Sequence, residues 1–193
     1  MAKQERFWTV PNMLSLYRLL SFPFILILVF AGMRQWFIIL LSFNLFTDIL
    51  DGYIARKWNQ QTAVGARLDS WADAGTYLLA FAGMMKFEWT FLVEHRIGLS
   101  LFVLLYVLSF VFTLLKFGRL CGLHLYSFKL TGYLQGGFII LLFWWGNIEA
   151  FYMLMIIVSC LACLEQLVII HLLHSPRSNV KGLYWMLKHQ AQT

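Results

Sequence analysis

The chain's four aspartates, Asp48, Asp51, Asp69 and Asp73, all fall within "DILDGYIARKWNQQTAVGARLDSWAD". On a helix, Asp48, Asp51, Gly52 and Ala55 share one stripe, and Gly65, Asp69 and Asp73 share another. If the chain turns back near residue 60, Asp51 faces Asp69 and Asp48 faces Asp73, so an antiparallel hairpin stacks the carboxylates in two layers. Clustered carboxylates repel one another, and poor hydration raises the cost. Protonation or bound cations can offset that repulsion. Oxygen-only ligands suit hard divalent ions, Mg²⁺ or Mn²⁺, and four carboxylates can hold two ions about 3.5–4 Å apart. Such a pair clamps phosphates during in-line displacement. Gly52, Ala55 and Gly65 leave a cleft in which a ligand can approach the backbone, and Arg56 at its rim can hold a phosphate. The competing reading is an interfacial salt-bridge cluster with Arg56, Lys57 and Arg67, the glycines serving only helix packing.

Which elements position these acids? The chain has 193 residues, 61% of them hydrophobic and only 12% charged, a composition that excludes an ordinary water-soluble domain. Apolar blocks recur along its length, giving an expected all-α polytopic membrane protein of six spans: 12–33, 35–56, 64–86, 97–116, 127–146 and 149–173. The second block has only Trp36–Thr47 before Asp48, roughly 18 Å of helix, too short to cross a hydrocarbon core of about 30 Å. Its helix must therefore run on through Asp48 and Asp51 towards Arg56. The third must begin near Thr62, a suitable N-cap, and pass through Asp69 and Asp73.

Short polar connections predict a single domain over 1–193 with no soluble appendage, ending in a basic interfacial tail, 174–193. The basic N-terminus is expected to lead into a retained span rather than a cleaved signal peptide, because "FWTVPNMLSLYR" interrupts the apolar run. With six spans, twelve Lys and Arg residues fall on the side of the termini and the aspartates. Only Arg34, Lys86 and Arg96 fall on the other. The positive-inside rule then puts both termini and the active-site cleft on the cytoplasmic side. The formal charge of +6 follows from this topology and gives no reason to invoke nucleic acid. Cys121, Cys160 and Cys163 lack metal-like partners and read as packing residues.

The aspartate stretch reads D-x2-D-G-x2-A-R-x8-G-x3-D-x3-D without a gap, and in this it resembles the signature of the CDP-alcohol phosphotransferases. "PNMLSLYR" at Pro11–Arg18 is similar to the family's opening "PNxLTxxR", with Ser15 in place of Thr. The resemblance implies that an alcohol attacks the β-phosphorus of a CDP-alcohol, CDP-diacylglycerol in the phospholipid synthases, and that CMP leaves. It implies Asp48, Asp51, Asp69 and Asp73 as metal ligands, Asp73 also as general base, and Gly52, Ala55, Arg56 and Gly65 as the nucleotide cradle. It further implies two Mg²⁺ or Mn²⁺ ions, a role in phospholipid biosynthesis and residence in the bacterial cytoplasmic membrane.

The acceptor is less defined. Many phosphatidylglycerophosphate and cardiolipin synthases read "LDPxADK" where this chain has "LDSWADA", with Ser70 and Ala74. Lys116, Arg119, His124 and Lys129 form a basic group suited to an anionic acceptor such as glycerol 3-phosphate, with Arg119 and Lys129 as the candidate binders. Positive-inside topology explains the same charges. Serine, inositol phosphate and phosphatidylglycerol are the alternative acceptors. Glu165 is a candidate as an intramembrane acid, with a structural hydrogen bond as its other reading. His171 and His174 lack ligand partners and read as interfacial. Gly132 and Gly136 form G-x-x-x-G, either an internal helix contact or a homodimer face. Intramembrane carboxylates also occur in ion-coupled transporters and channels, which form the alternative of another class.

Overall fold

The computed structural model describes residues 9–58, 60, 62–118, 125–173 and 182–190. Six long helices occupy the six expected blocks: α1 (Val10–Phe30), α2 (Arg34–Lys57), α3 (Ala63–Phe87), α5 (Arg96–Phe117), α6 (Tyr126–Trp145) and α7 (Glu149–Leu172). Two short helices accompany them, α4 (Trp89–Glu94) and α8 (Leu183–Gln190). There is no strand among the described residues. By length and composition, α1, α2, α5 and α7 can cross a membrane. In α3 the apolar run is interrupted by Arg67, Asp69 and Asp73, and in α6 by Lys129 and Gln135, which lower their hydropathy.

Element ends follow local chemistry. Thr9 caps α1 by accepting from the Asn12 N–H, and Pro11 follows in the first turn, where a missing N–H costs nothing. α1 stops three residues before its expected end because Gly32, at φ 72°, turns the chain. Thr62 caps α3 as anticipated, accepting from Gly65 N–H at 2.9 Å. α5 ends on Gly118 in the left-handed conformation that favours glycine. α4 was not foreseen; it fills the link between the third and fourth blocks and buries Phe91.

The chain divides into two compact units, up to Leu92 and from Val93. In the first, α1 packs against both α2 and α3. Arg34 at the start of α2 bonds Glu88, the C-cap of α3, at 2.8 Å, fixing these two helices as an antiparallel pair. Ile25, Phe37, Leu41 and Leu79 form its apolar interior.

In the second unit α7 is central and contacts α5, α6 and α8. α5 is inside out relative to a soluble helix. It buries Ser109 and Thr113, whereas Ile97 and Leu115 are more than three-quarters exposed, at 77% and 79%. Lipid as the surrounding solvent accounts for that inversion, since small polar residues allow close helix contact. An added Cβ at Gly98 would collide with the Tyr152 hydroxyl, so α5 and α7 approach closely there. An added Cβ at Gly132 would meet nothing within 4 Å, so it is not a close-packing position within this unit.

Candidate active site

The four aspartates converge, and what joins them is Arg18. Nη1 donates to Asp48 Oδ1 at 2.5 Å and to Asp73 Oδ1 at 2.8 Å. Nη2 donates to Asp51 Oδ2 at 2.8 Å and to Asp69 Oδ1 at 2.6 Å. Each nitrogen thus bridges one of the two carboxylate pairs expected from the hairpin spacing. Carboxylate oxygens of Asp48, Asp51 and Asp69 lie within 4.8 Å of one another. The site has a closed side and an open side. The Arg18 side chain is 0% exposed and that of Asp51 5%, whereas Asp48, Asp69 and Asp73 are 39%, 44% and 43% exposed.

The three long helices of the first unit, α1, α2 and α3, supply this arrangement. On α1, Pro11, Asn12, Ser15 and Arg18 form a buried stripe at helical spacing. Ser15 Oγ lies 3.3 Å from Asp51 Oδ2, and the Asn12 side chain meets Thr62 Oγ1 at 3.3 Å, tying the start of α1 to the start of α3. One level further along, buried Asn44 on α2 hydrogen-bonds Ser21, whose hydroxyl donates to the Arg18 carbonyl at 3.0 Å. Arg18 and Asn44 are the residues that spacing within the aspartate stretch misses. Both carry a legible signal: a polar side chain one helical face deep in an apolar run.

Arg56, Lys57 and Arg67 are exposed, and none pairs with an aspartate among the described residues. The salt-bridge alternative therefore named the wrong cations. The glycines differ among themselves. At Gly52 an added Cβ would meet only the Arg56 guanidinium nitrogens, at 3.9 and 4.0 Å, leaving open space beside a cation. At Gly65 it would strike Asn12 Oδ1 and lie 2.8 Å from Thr62 Oγ1. At Gly75, two residues from Asp73, Phe22 of α1 lies 3.2 Å from where a Cβ would stand. Asp51 is the most enclosed of the four acids. Ser70 is exposed and donates to the Ala66 carbonyl of its own helix.

Among the acceptor candidates, Arg119 lies outside the described residues, as do Cys121, His124 and His174. Lys129 is exposed on α6, its ammonium 5.3 Å from the Tyr126 ring centroid. Lys116 donates to the Ile170 and His171 carbonyls at 2.9 and 2.7 Å and so caps α7. Glu165 Oε1 accepts from Leu183 N–H at 2.9 Å, so this acid anchors the start of α8, in line with its structural reading.

The donor set suits hard divalent cations: it is oxygen only, and four carboxylates face one guanidinium, a formal excess of three negative charges.

Residues 8–176 match the family model described as CDP-alcohol phosphatidyltransferase. The chain is 38% identical over 96 residues to a CDP-diacylglycerol–glycerol-3-phosphate 3-phosphatidyltransferase of Aquifex aeolicus, covering 50% of this chain and 51% of that protein. It is 35% identical over 77 residues to the protein of the same name from Cereibacter sphaeroides, covering 38% and 35%. It is also 36% identical over 86 residues to a cardiolipin synthase (CMP-forming) of Streptomyces coelicolor, covering 42% and 40%. The aligned segments thus span about a third to a half of each relative's length. No solved structure matches the chain.

Proposed function

The chain belongs to the CDP-alcohol phosphatidyltransferase family, and from that premise we propose that it transfers a phosphatidyl group from CDP-diacylglycerol to glycerol 3-phosphate, releasing CMP, in phospholipid biosynthesis. The observation that carries the reading is the convergence of all four signature aspartates, through Arg18, at a site with one open side. Family membership replaces the transporter and channel alternatives.

Asp48, Asp51, Asp69 and Asp73 hold the divalent ions in this reading. Bound there, Mg²⁺ or Mn²⁺ supplies positive charge to the diphosphate and to the departing CMP. Gly52 and Ala55 let the nucleotide reach the α2 backbone, with Arg56 against a phosphate, while Gly65 lets Asn12 of α1 pack against the start of α3. Asp73 accepts the proton of the attacking hydroxyl. The acceptor oxygen bonds to the β-phosphorus as the bridging P–O bond breaks and the electron pair leaves with CMP. Arg119 and Lys129 bind the acceptor's phosphate. The setting we propose is six membrane spans, both termini and the cleft facing the cytoplasm, in the bacterial inner membrane, with a homodimer as the assembly.

A second acceptor is favoured by one finding, the similarity to a cardiolipin synthase at 36% identity: phosphatidylglycerol, attacking through its terminal hydroxyl. CMP release by the purified protein decides between them. We expect turnover with CDP-diacylglycerol, glycerol 3-phosphate and Mg²⁺, and none in excess chelator. Turnover only with phosphatidylglycerol would select the second acceptor, and full activity in chelator would remove the metal-site reading.

A further inference from the structure

We propose that Arg18 is a built-in counter-ion of the aspartate site: it holds the carboxylates together when no divalent cation is bound and competes for their oxygens when one binds. The inference rests on the metal-site reading above. Its ground is the geometry of a single guanidinium. A planar fork with two terminal nitrogens can satisfy one carboxylate bidentately, which is the strong mode of pairing. Arg18 does not do this. It gives each nitrogen to two different acids and takes one oxygen from each of four side chains contributed by α2 and α3. Its Nε is buried with no hydrogen-bond partner among the described residues. The guanidinium therefore sits where it meets most negative charge, at the expense of its own full complement of bonds.

Three consequences follow. Without Arg18, four clustered carboxylates would face one another with no cation among them, and removing one member of a buried ionic group is strongly destabilising. With Arg18, a formal excess of three negative charges remains, so the residue steadies the site without neutralising it. Entry of a divalent ion requires some of the same oxygens, which the open side exposes at Asp48, Asp69 and Asp73. Ser15 Oγ, 3.3 Å from both Asp51 Oδ2 and the Pro11 carbonyl, can turn its one O–H to the most enclosed acid when Arg18 yields it. Arg18 is thus a positioning residue acting through the aspartates, set to keep the empty site assembled at some cost in cation affinity.

The test uses the full chain in detergent, Mn²⁺ as probe, thermal unfolding with and without chelator, and Mn²⁺ affinity from the paramagnetic resonance of the free ion. In chelator, Arg18→Gln should unfold about 10 °C below the unsubstituted protein. Saturating Mn²⁺ should remove most of that gap, and the variant should bind Mn²⁺ about tenfold more tightly. An equal loss of Tm with and without Mn²⁺, or unchanged or weaker affinity, would overturn the proposal while leaving the metal site standing. Absence of Mn²⁺ binding by the unsubstituted protein would overturn the metal-site reading, and this inference with it. Should Arg18→Gln fail to fold under any condition, the triple variant Arg18→Gln, Asp51→Asn, Asp69→Asn decides. Recovery of folding in chelator supports the counter-ion role, and failure to recover refutes it.

Discussion

Charged side chains of the two compact units are used in opposite ways: the Arg18 cluster of the first against the exposed Lys116 and half-buried Glu165 of the second. In the second, charged side chains complete the backbone: Lys116 donates to the last carbonyls of α7, and Glu165 receives the first N–H of α8. In the first, Arg18 and four aspartates bond side chain to side chain and satisfy no helix end. A charge serving a helix terminus answers a fixed number of orphan groups, and its position leaves little to exchange. A charge serving only other charges can be replaced by any ion of suitable sign and size. The contrast separates charges that finish the fold from those available to a ligand.

Substitutions can break or sharpen that contrast. The largest effect is expected at Asp73. Asp73→Asn should lower kcat by about 10²–10⁴-fold, with CDP-diacylglycerol affinity held within a few-fold. Near-normal turnover would end its assignment as base. Next, Gly52→Leu should abolish nucleotide binding in a protein that still folds, because only the Arg56 guanidinium stands near that Cβ. Gly65→Leu should instead lose the fold, since the side chain would displace Asn12. Size-exclusion profiles beside CDP-diacylglycerol binding check both, and identical behaviour of the two variants would dissolve the distinction. Lys129→Ala should raise the acceptor's KM by about tenfold and leave the nucleotide site alone, as loss of a charge-assisted hydrogen bond requires. An unchanged KM would return Lys129 to topology. The smallest effect belongs to the caps. Lys116→Met or Glu165→Gln should lower Tm by roughly 2–6 °C without changing turnover per folded molecule. A loss of turnover there would blur the division between the two uses of charge.

Much of the first unit is legible in the sequence, for identifiable reasons. The shortness of the apolar run before Asp48 requires α2 to carry the acids, and Thr62 marks the start of α3. Spacing then pairs Asp48 with Asp73 and Asp51 with Asp69, the same partition that the Arg18 nitrogens make. Periodicity cannot show a partner on another helix. Charge counting makes Arg18 one positive charge among twelve on its side, and the "PNMLSLYR" resemblance marks its position without its partners, which lie 30 to 55 residues away. The glycines teach the same lesson. Gly52 and Gly65 both read as gaps, but only the fold shows that Asn12 fills the second. α4 is hidden because "WTFLVE" is too short for any period to emerge.

The span between Arg18 and its acids also bears on biogenesis. The chain is made from its N-terminus, so α1 leaves the ribosome carrying an arginine whose nearest partner, Asp48, is still 30 residues from synthesis. Placing an unpaired arginine at the centre of a membrane helix costs about 2.5–3.5 kcal/mol on insertion scales. The rest of α1 is apolar enough to enter, but its guanidinium must wait near the aqueous face until the α2–α3 pair arrives. A nascent chain arrested after α1 should therefore integrate less completely than one arrested after Asp73, and Arg18→Leu should erase the difference. The residue that organises the site in the finished protein would then be the one that makes the first helix's insertion depend on the second and third.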